Sequence, residues 1–128
     1  MRHFVAYHNT ERMGRSLRES DPLTVLSSKP VERLLHNTVW IVVGEGSSPR
    51  RYSLGSVFVV DDCGLSGVDG FKNYARGQGQ LIDPPTPLNE QEWFPQLIKT
   101  MANFSLGVQE LKEPLIIEAL IGLQAAGC

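Results

Sequence analysis

Thr38-Val39-Trp40-Ile41-Val42-Val43-Gly44, followed beyond Glu45-Gly46-Ser47-Ser48-Pro49 by Arg51-Tyr52-Ser53-Leu54-Gly55-Ser56-Val57-Phe58-Val59-Val60, is the part of the chain richest in β-branched and aromatic residues. Such residues fit a pleated surface, and the intervening Gly, Ser and Pro are turn formers, so the pair predicts a β-hairpin. In the second run Tyr52, Leu54, Phe58 and Val60 share one parity, and Gly55 between them predicts a bulge that bends the strand. Strong bending predicts a small closed barrel instead of a flat sheet.

Working outward, His3 to Asn9 alternates as an opening strand that stops at Asn9-Thr10. After Asp21-Pro22 comes the apolar stretch Leu23 to Leu26. Ser27-Ser28-Lys29-Pro30 then offers a cap and a first-turn proline, and Val31, Leu34 and Leu35 fall at i, i+3 and i+4, which predicts a short helix ending near His36-Asn37. Residues 61 to 70 read as a loop, and Phe71 to Ile82 as a polar, glycine-interrupted edge strand closed by Pro84, Pro85 and Pro87. Asn89 and Glu92 have capping-box spacing, with Leu88 and Trp93 placed as a staple, so a helix is expected to start there and to kink or restart at Pro95. Asn103 to Glu110 reads as extended. Past Pro114, Leu115, Ile116, Ala119, Leu120 and Leu123 outline a terminal amphipathic helix, apolar on more than one face. The fold class expected is α+β, a small bent β-barrel with short peripheral helices, in a single domain spanning residues 1 to 128.

The chain has 128 residues, 41% hydrophobic and 20% charged, which excludes intrinsic disorder and low-complexity scaffolds. Its net charge of −2 gives no global attraction to polyanions. The charge is uneven, however: residues 1 to 76 carry +2 and residues 77 to 128 carry −4. Arg2, Arg12, Arg15 and Arg18 face only Glu11 within the first eighteen residues, so a polyanion would meet this end first. Cys63 and Cys128 make no disulfide framework and show no metal spacing, which points to a reducing compartment and, with no signal-peptide core and no apolar run of membrane length, to the cytoplasm.

Few residues carry recognisable chemistry. Gly44-Glu45-Gly46 and Gly77-Gln78-Gly79 lack the third glycine and following helix of a dinucleotide loop and the Gly-Lys-Ser/Thr of a Walker loop, so they read as turn or bulge glycines. His3, His8 and His36 are scattered, so no metal or cofactor is expected, and no Gly-x-Ser-x-Gly elbow is present. Cys63 sits beside two aspartates, an acidic setting that argues against a thiolate nucleophile. What remains is aromatic residues interleaved with cations: Trp40, Tyr52 and Trp93 as stacking rings, with Arg50, Arg51, Lys72 and Arg76 as backbone contacts. The same rings, with Phe58, Phe94 and Phe104, also suit an ordinary core. Tyr7-His8-Asn9-Thr10, where the first strand ends, offers hydrogen-bonding side chains, of which His8 and Asn9 can read a base edge, or it simply forms a polar turn.

The order of elements resembles the PUA-like superfamily, in particular small EVE-type and YTH-like domains. The resemblance rests on the strand His3 to Asn9, the helix Lys29 to His36 leading into Asn37 to Gly44, and the bent strand Arg51 to Asp61; it does not extend to the last third of the chain. It implies a small barrel that binds RNA or DNA, in some members by enclosing a modified base in an aromatic pocket. The leading expectation is therefore a non-enzymatic nucleic-acid-binding module that reads modified bases. One alternative is a protein-interaction domain that dimerises through the terminal helix. Another is a small hydrolase or nuclease using His8 with Asp61 or Asp62.

Overall fold

In the computed structural model, which describes residues 1–128 except 11–16, 18–20, 47–48, 69, 105–106 and 127–128, the apolar run at 38–45 is a central strand. The strands are β1 (His3–Asn9), β2 (Thr24–Ser27), β3 (Thr38–Glu45), β4 (Arg51–Val68), β5 (Phe71–Pro87) and β6 (Gln109–Leu111). The helices among the described residues are α1 (Phe94–Thr100) and α2 (Pro114–Ala126), with 3-10 turns at Glu32–Leu34 and Ala102–Phe104. The six strands form one sheet in the order β2-β5-β4-β3-β1-β6. β1 runs parallel to β3, and every other pairing is antiparallel.

Both faces of β3 are covered, which is why its sequence is apolar throughout. Trp40 and Val42 point to one face, where Val5, Leu54, Val57 and Ile82 of neighbouring strands meet Phe94 and Leu97 of α1 and Ile116 and Leu120 of α2. Val39, Ile41 and Val43 point to the other, against Phe4, Phe58, Val60 and Ala75, with Leu17, Val31 and Leu34 laid over them. Each fully buried Leu, Ile or Phe contributes about 1.5–3 kcal/mol of transfer free energy. Gly55 is the expected bulge: Ile41 pairs with Ser56 and Val42 with Leu54, leaving Gly55 as the extra residue. A β-carbon there would come within 2.6 Å of both Leu17 and Val43.

The sheet is not closed into a barrel: β2 and β6 are its edges, at opposite ends of the strand order. With a layer of side chains over each face, burial does not require the sheet to curl shut. The helix expected near 31–36 is a single 3-10 turn, ended at His36 by a φ of 67°. Asn37 supports that turn by donating to the carbonyls of Arg33 and Leu35. The loop expected at 61–70 is instead the continuation of the hairpin, in which β4 runs to Val68 and pairs with Phe71. Backbone ladders do not need apolar side chains, and here Asp62 accepts from the Tyr74 hydroxyl and the Arg76 guanidinium across the ladder. Gly77 and Gly79 accordingly lie within β5 and in no turn. The capping box at Asn89 does not form either. α1 starts at Phe94 with Pro95 in its first turn, because Asn89 is engaged elsewhere. Asn103 to Glu110 is not continuously extended, since a turn at 102–104 precedes β6. The terminal helix spans Pro114–Ala126, with Ile116 and Leu120 buried and Leu115 and Ile121 exposed. No helix among the described residues is long and apolar enough to cross a membrane.

Candidate functional site

The parallel strands β1 and β3 finish side by side at Asn9 and Gly44, and β4 begins beside them, with Tyr52 opposite Gly44. Tyr7, two residues before Asn9, projects on the same face as Asn9, as strand alternation dictates. Its ring crosses Gly44, where the absence of a side chain leaves room for it. There it stacks on Phe104, with centroids 4.9 Å apart and planes 10° from parallel. Tyr52 closes the group, tilted at 5.7 Å to Phe104 and 5.2 Å to Phe94. Burial raises the Tyr52 phenol above its ordinary pKa, and Tyr7 adds to the rise.

A cation is fixed at the rim of these rings. Arg50 donates from Nε to the carbonyl of Gly46 at 3.1 Å and from Nη1 to the Tyr7 hydroxyl at 3.0 Å. Asn89, after β5, spans both sides of Arg51: its Oδ1 accepts from the Tyr52 N–H at 2.6 Å, and its Nδ2 donates to the Arg50 carbonyl at 3.0 Å. Two bonds from one side chain thus hold the Arg50–Tyr52 backbone. Phe104 is delivered by an unusual turn, in which Ala102, Asn103 and Phe104 have φ of 49°, 56° and 60°. A left-handed residue other than glycine costs about 1–2 kcal/mol, so packing must hold these three.

The structure separates the residues expected to act together. Tyr52, Asn9, Arg50 and Arg51 gather at this end of the sheet, with Arg51 exposed opposite Glu45. Trp93 is half-buried, edge-on to Phe94 and packed against the core. Trp40 is 1% exposed, and its indole N–H donates to His3 Nδ1 at 3.0 Å, so no base can stack on it. His8 is buried and shares its parity with Phe4 and Ala6, on the face away from Tyr7 and Tyr52. Lys72 lies beside the hairpin tip, about 50 Å of strand path from Arg51 at about 3.3 Å per residue. Arg76 is ion-paired to Asp62 at 2.9 Å and stands over the Tyr74 ring. The expected dyad of His8 with Asp61 or Asp62 is not assembled, since His8 pairs with Val43 beside Ser53 while Asp62 lies nine residues further along β4. The stretch holding Arg12, Arg15 and Arg18 lies outside the described residues.

Asn89 escaped the sequence reading as a site residue, because its partners are distant in sequence; Tyr7 belongs to the polar strand end Tyr7 to Thr10, and Phe104 is one of the rings that suit an ordinary core. Among the described residues no group of three or more His, Cys, Asp or Glu converges. The chain matches no protein-family model, no curated protein and no solved structure.

Proposed function

We propose that the protein is a non-enzymatic nucleic-acid-binding module, and that it meets RNA or DNA at the sheet end where Asn9, Tyr7, Arg50, Arg51 and Tyr52 gather. The observation that carries this reading is the Arg50 guanidinium, held by the Gly46 carbonyl and the Tyr7 hydroxyl beside half-buried aromatic rings. A positioned cation next to ring edges suits a phosphate with a stacked base. The carboxyl ends of adjacent parallel strands are a common place for ligands, and the left-handed turn at 102–104 is backbone strain of the sort that accompanies ligand sites. The order of elements through residue 60 supports a PUA-like relationship as part of the same proposal, with the reading of modified bases as its finer form and the cytoplasm as its setting.

The test is an anisotropy titration with labelled single- and double-stranded RNA and DNA, with and without base modification, at about 50 and 200 mM salt. Binding is expected at low salt and should weaken with added salt. Arg51→Ala should lower the salt slope by about one unit. Absence of binding to every form at low salt would overturn the reading.

A further inference from the structure

Phe104 fills a place that its own backbone opposes. Its ring lies parallel to Tyr7 at 4.9 Å and tilted to Tyr52 at 5.7 Å, and the residue is 8% exposed. The chain reaches that place through Ala102, Asn103 and Phe104 at φ of 49°, 56° and 60°. Glycine enters this region freely and asparagine at small cost, but alanine and phenylalanine are strained there. The Phe104 N–H donates to the Met101 carbonyl at 2.8 Å. An ordinary right-handed 3-10 turn makes the same bond, so the bond does not require the left-handed backbone. The lodging of the ring does.

Three strained residues cost an amount of the same order as burying and stacking one phenyl ring releases. The lodged and released positions of Phe104 are therefore closely balanced, and a competitor for the slot shifts the balance. A nucleobase is the competitor that fits, because it is flat and stacks on an aromatic platform in the parallel manner that Phe104 adopts on Tyr7. The rings of Tyr7 and Tyr52 already pack on each other, on Phe94 and on Phe104, so a base gains a ring face only when one of these rings yields. Tyr7 and Tyr52 are fixed in strands and Phe94 in α1, whereas Phe104 lies on the strained turn. Arg50 Nη1 stands 3.0 Å from the Tyr7 hydroxyl, within reach of the phosphate of a base stacked on that ring.

We infer that Phe104 is a plug: in the free protein it occupies the slot in which one unpaired base of a single-stranded nucleic acid stacks on Tyr7, and binding expels it. The inference rests on the reading of this sheet end as a nucleic-acid site. A paired base has both faces stacked within its duplex, so the slot selects single strands.

Fluorine NMR with para-fluorophenylalanine in place of Phe104 tests the expulsion directly. A saturating mixed-sequence single-stranded RNA or DNA should move the resonance from its ring-stacked position to that of a solvent-exposed ring. Two variants should shift the affinity for the same oligonucleotides in opposite directions. Phe104→Ala empties the slot and should tighten binding about tenfold with the salt slope unchanged, because the occupied fraction no longer subtracts from the affinity. Ala102→Gly removes strain from the lodged state and should weaken binding about threefold. Binding that leaves the fluorine resonance in place, or that Phe104→Ala weakens, overturns the plug and leaves the nucleic-acid reading standing. Failure of wild type and Phe104→Ala alike to bind any strand at low salt overturns both. Should Phe104→Ala fail to fold, the fluorine shift and Ala102→Gly decide: a moved resonance with weakened binding supports the plug, and any other result overturns it.

Discussion

The ring of Tyr7 occupies the space over Gly44 that a side chain at that position would fill. A β-carbon on Gly44 would fall on the Tyr7 hydroxyl and 2.6 Å from the ring carbon that bears it. Gly44→Ala should therefore push Tyr7 off Phe104 and away from Arg50, at a cost of about 1–3 kcal/mol, as for other overpacked sites. Urea denaturation measures the loss, and a variant as stable as wild type would show that Tyr7 does not need that space.

Asn89 joins two backbone groups of the segment it braces. Asn89→Ala removes both bonds and should cost about 1–3 kcal/mol, at about 0.5–1.5 kcal/mol per bond. Asn89→Asp keeps the acceptor for the Tyr52 N–H and loses the donor to the Arg50 carbonyl, so its cost should be smaller. Equal losses for the two variants would show that the Tyr52 bond contributes nothing.

His3 couples the Trp40 indole to pH. Burial lowers the His3 pKa below its ordinary 6.5, and the charged amino terminus adds to the fall. Its Nδ1 can accept the indole N–H only while the ring is neutral. The folded state thus binds the proton less readily than the unfolded one. The stability it contributes is complete above pH 6.5 and is lost as pH falls through the lowered folded value. His3→Gln, which offers an acceptor and does not titrate, should flatten the dependence in denaturation curves at pH 7.5 and pH 5. A slope unchanged by that variant would assign the effect to other groups.

Two glycines should respond in opposite directions to alanine. At Gly79 a β-carbon would meet the Val57 carbonyl and lie 2.7 Å from Phe58 Cβ, so Gly79→Ala must separate β5 from β4 and should cost about 1–3 kcal/mol. At Gly122, inside α2, nothing lies within 4 Å of the added carbon. There alanine should stabilise the chain by about 0.5–1 kcal/mol through helix propensity. Thermal or chemical denaturation of the pair reads both signs.

The elements that were legible in the sequence are those set by local periodicity. β1, β3, the Gly55 bulge and α2 lie where alternation, β-branching and the proline at 114 place them. Signals with more than one physical outlet were less reliable. Asn89 has a side chain suited to capping, but it bonds to Tyr52 and Arg50 across 37 and 39 residues. The polar stretch after Val60 reads as loop because its side chains are soluble, although its backbone still has a partner strand to bond. Part of the candidate site was visible: Asn9, Arg50, Arg51 and Tyr52 gather, whereas Trp40, His8, Lys72 and Arg76 do not join them and Trp93 packs edge-on to Phe94 against the core.

By itself the sequence determined which residues share a face within each strand, because side chains alternate with a period of two whatever lies around them. It could not determine what covers each face. Trp40 is sealed beneath α2 and its neighbours, while Tyr52, also on that side of the sheet, stays near the rim; only the strand order and the helix placement distinguish the two. The spread of the cations has the same origin, since the length and register of the β4–β5 hairpin set the distance from Arg51 to Lys72, and both depend on pairing between residues far apart in the chain.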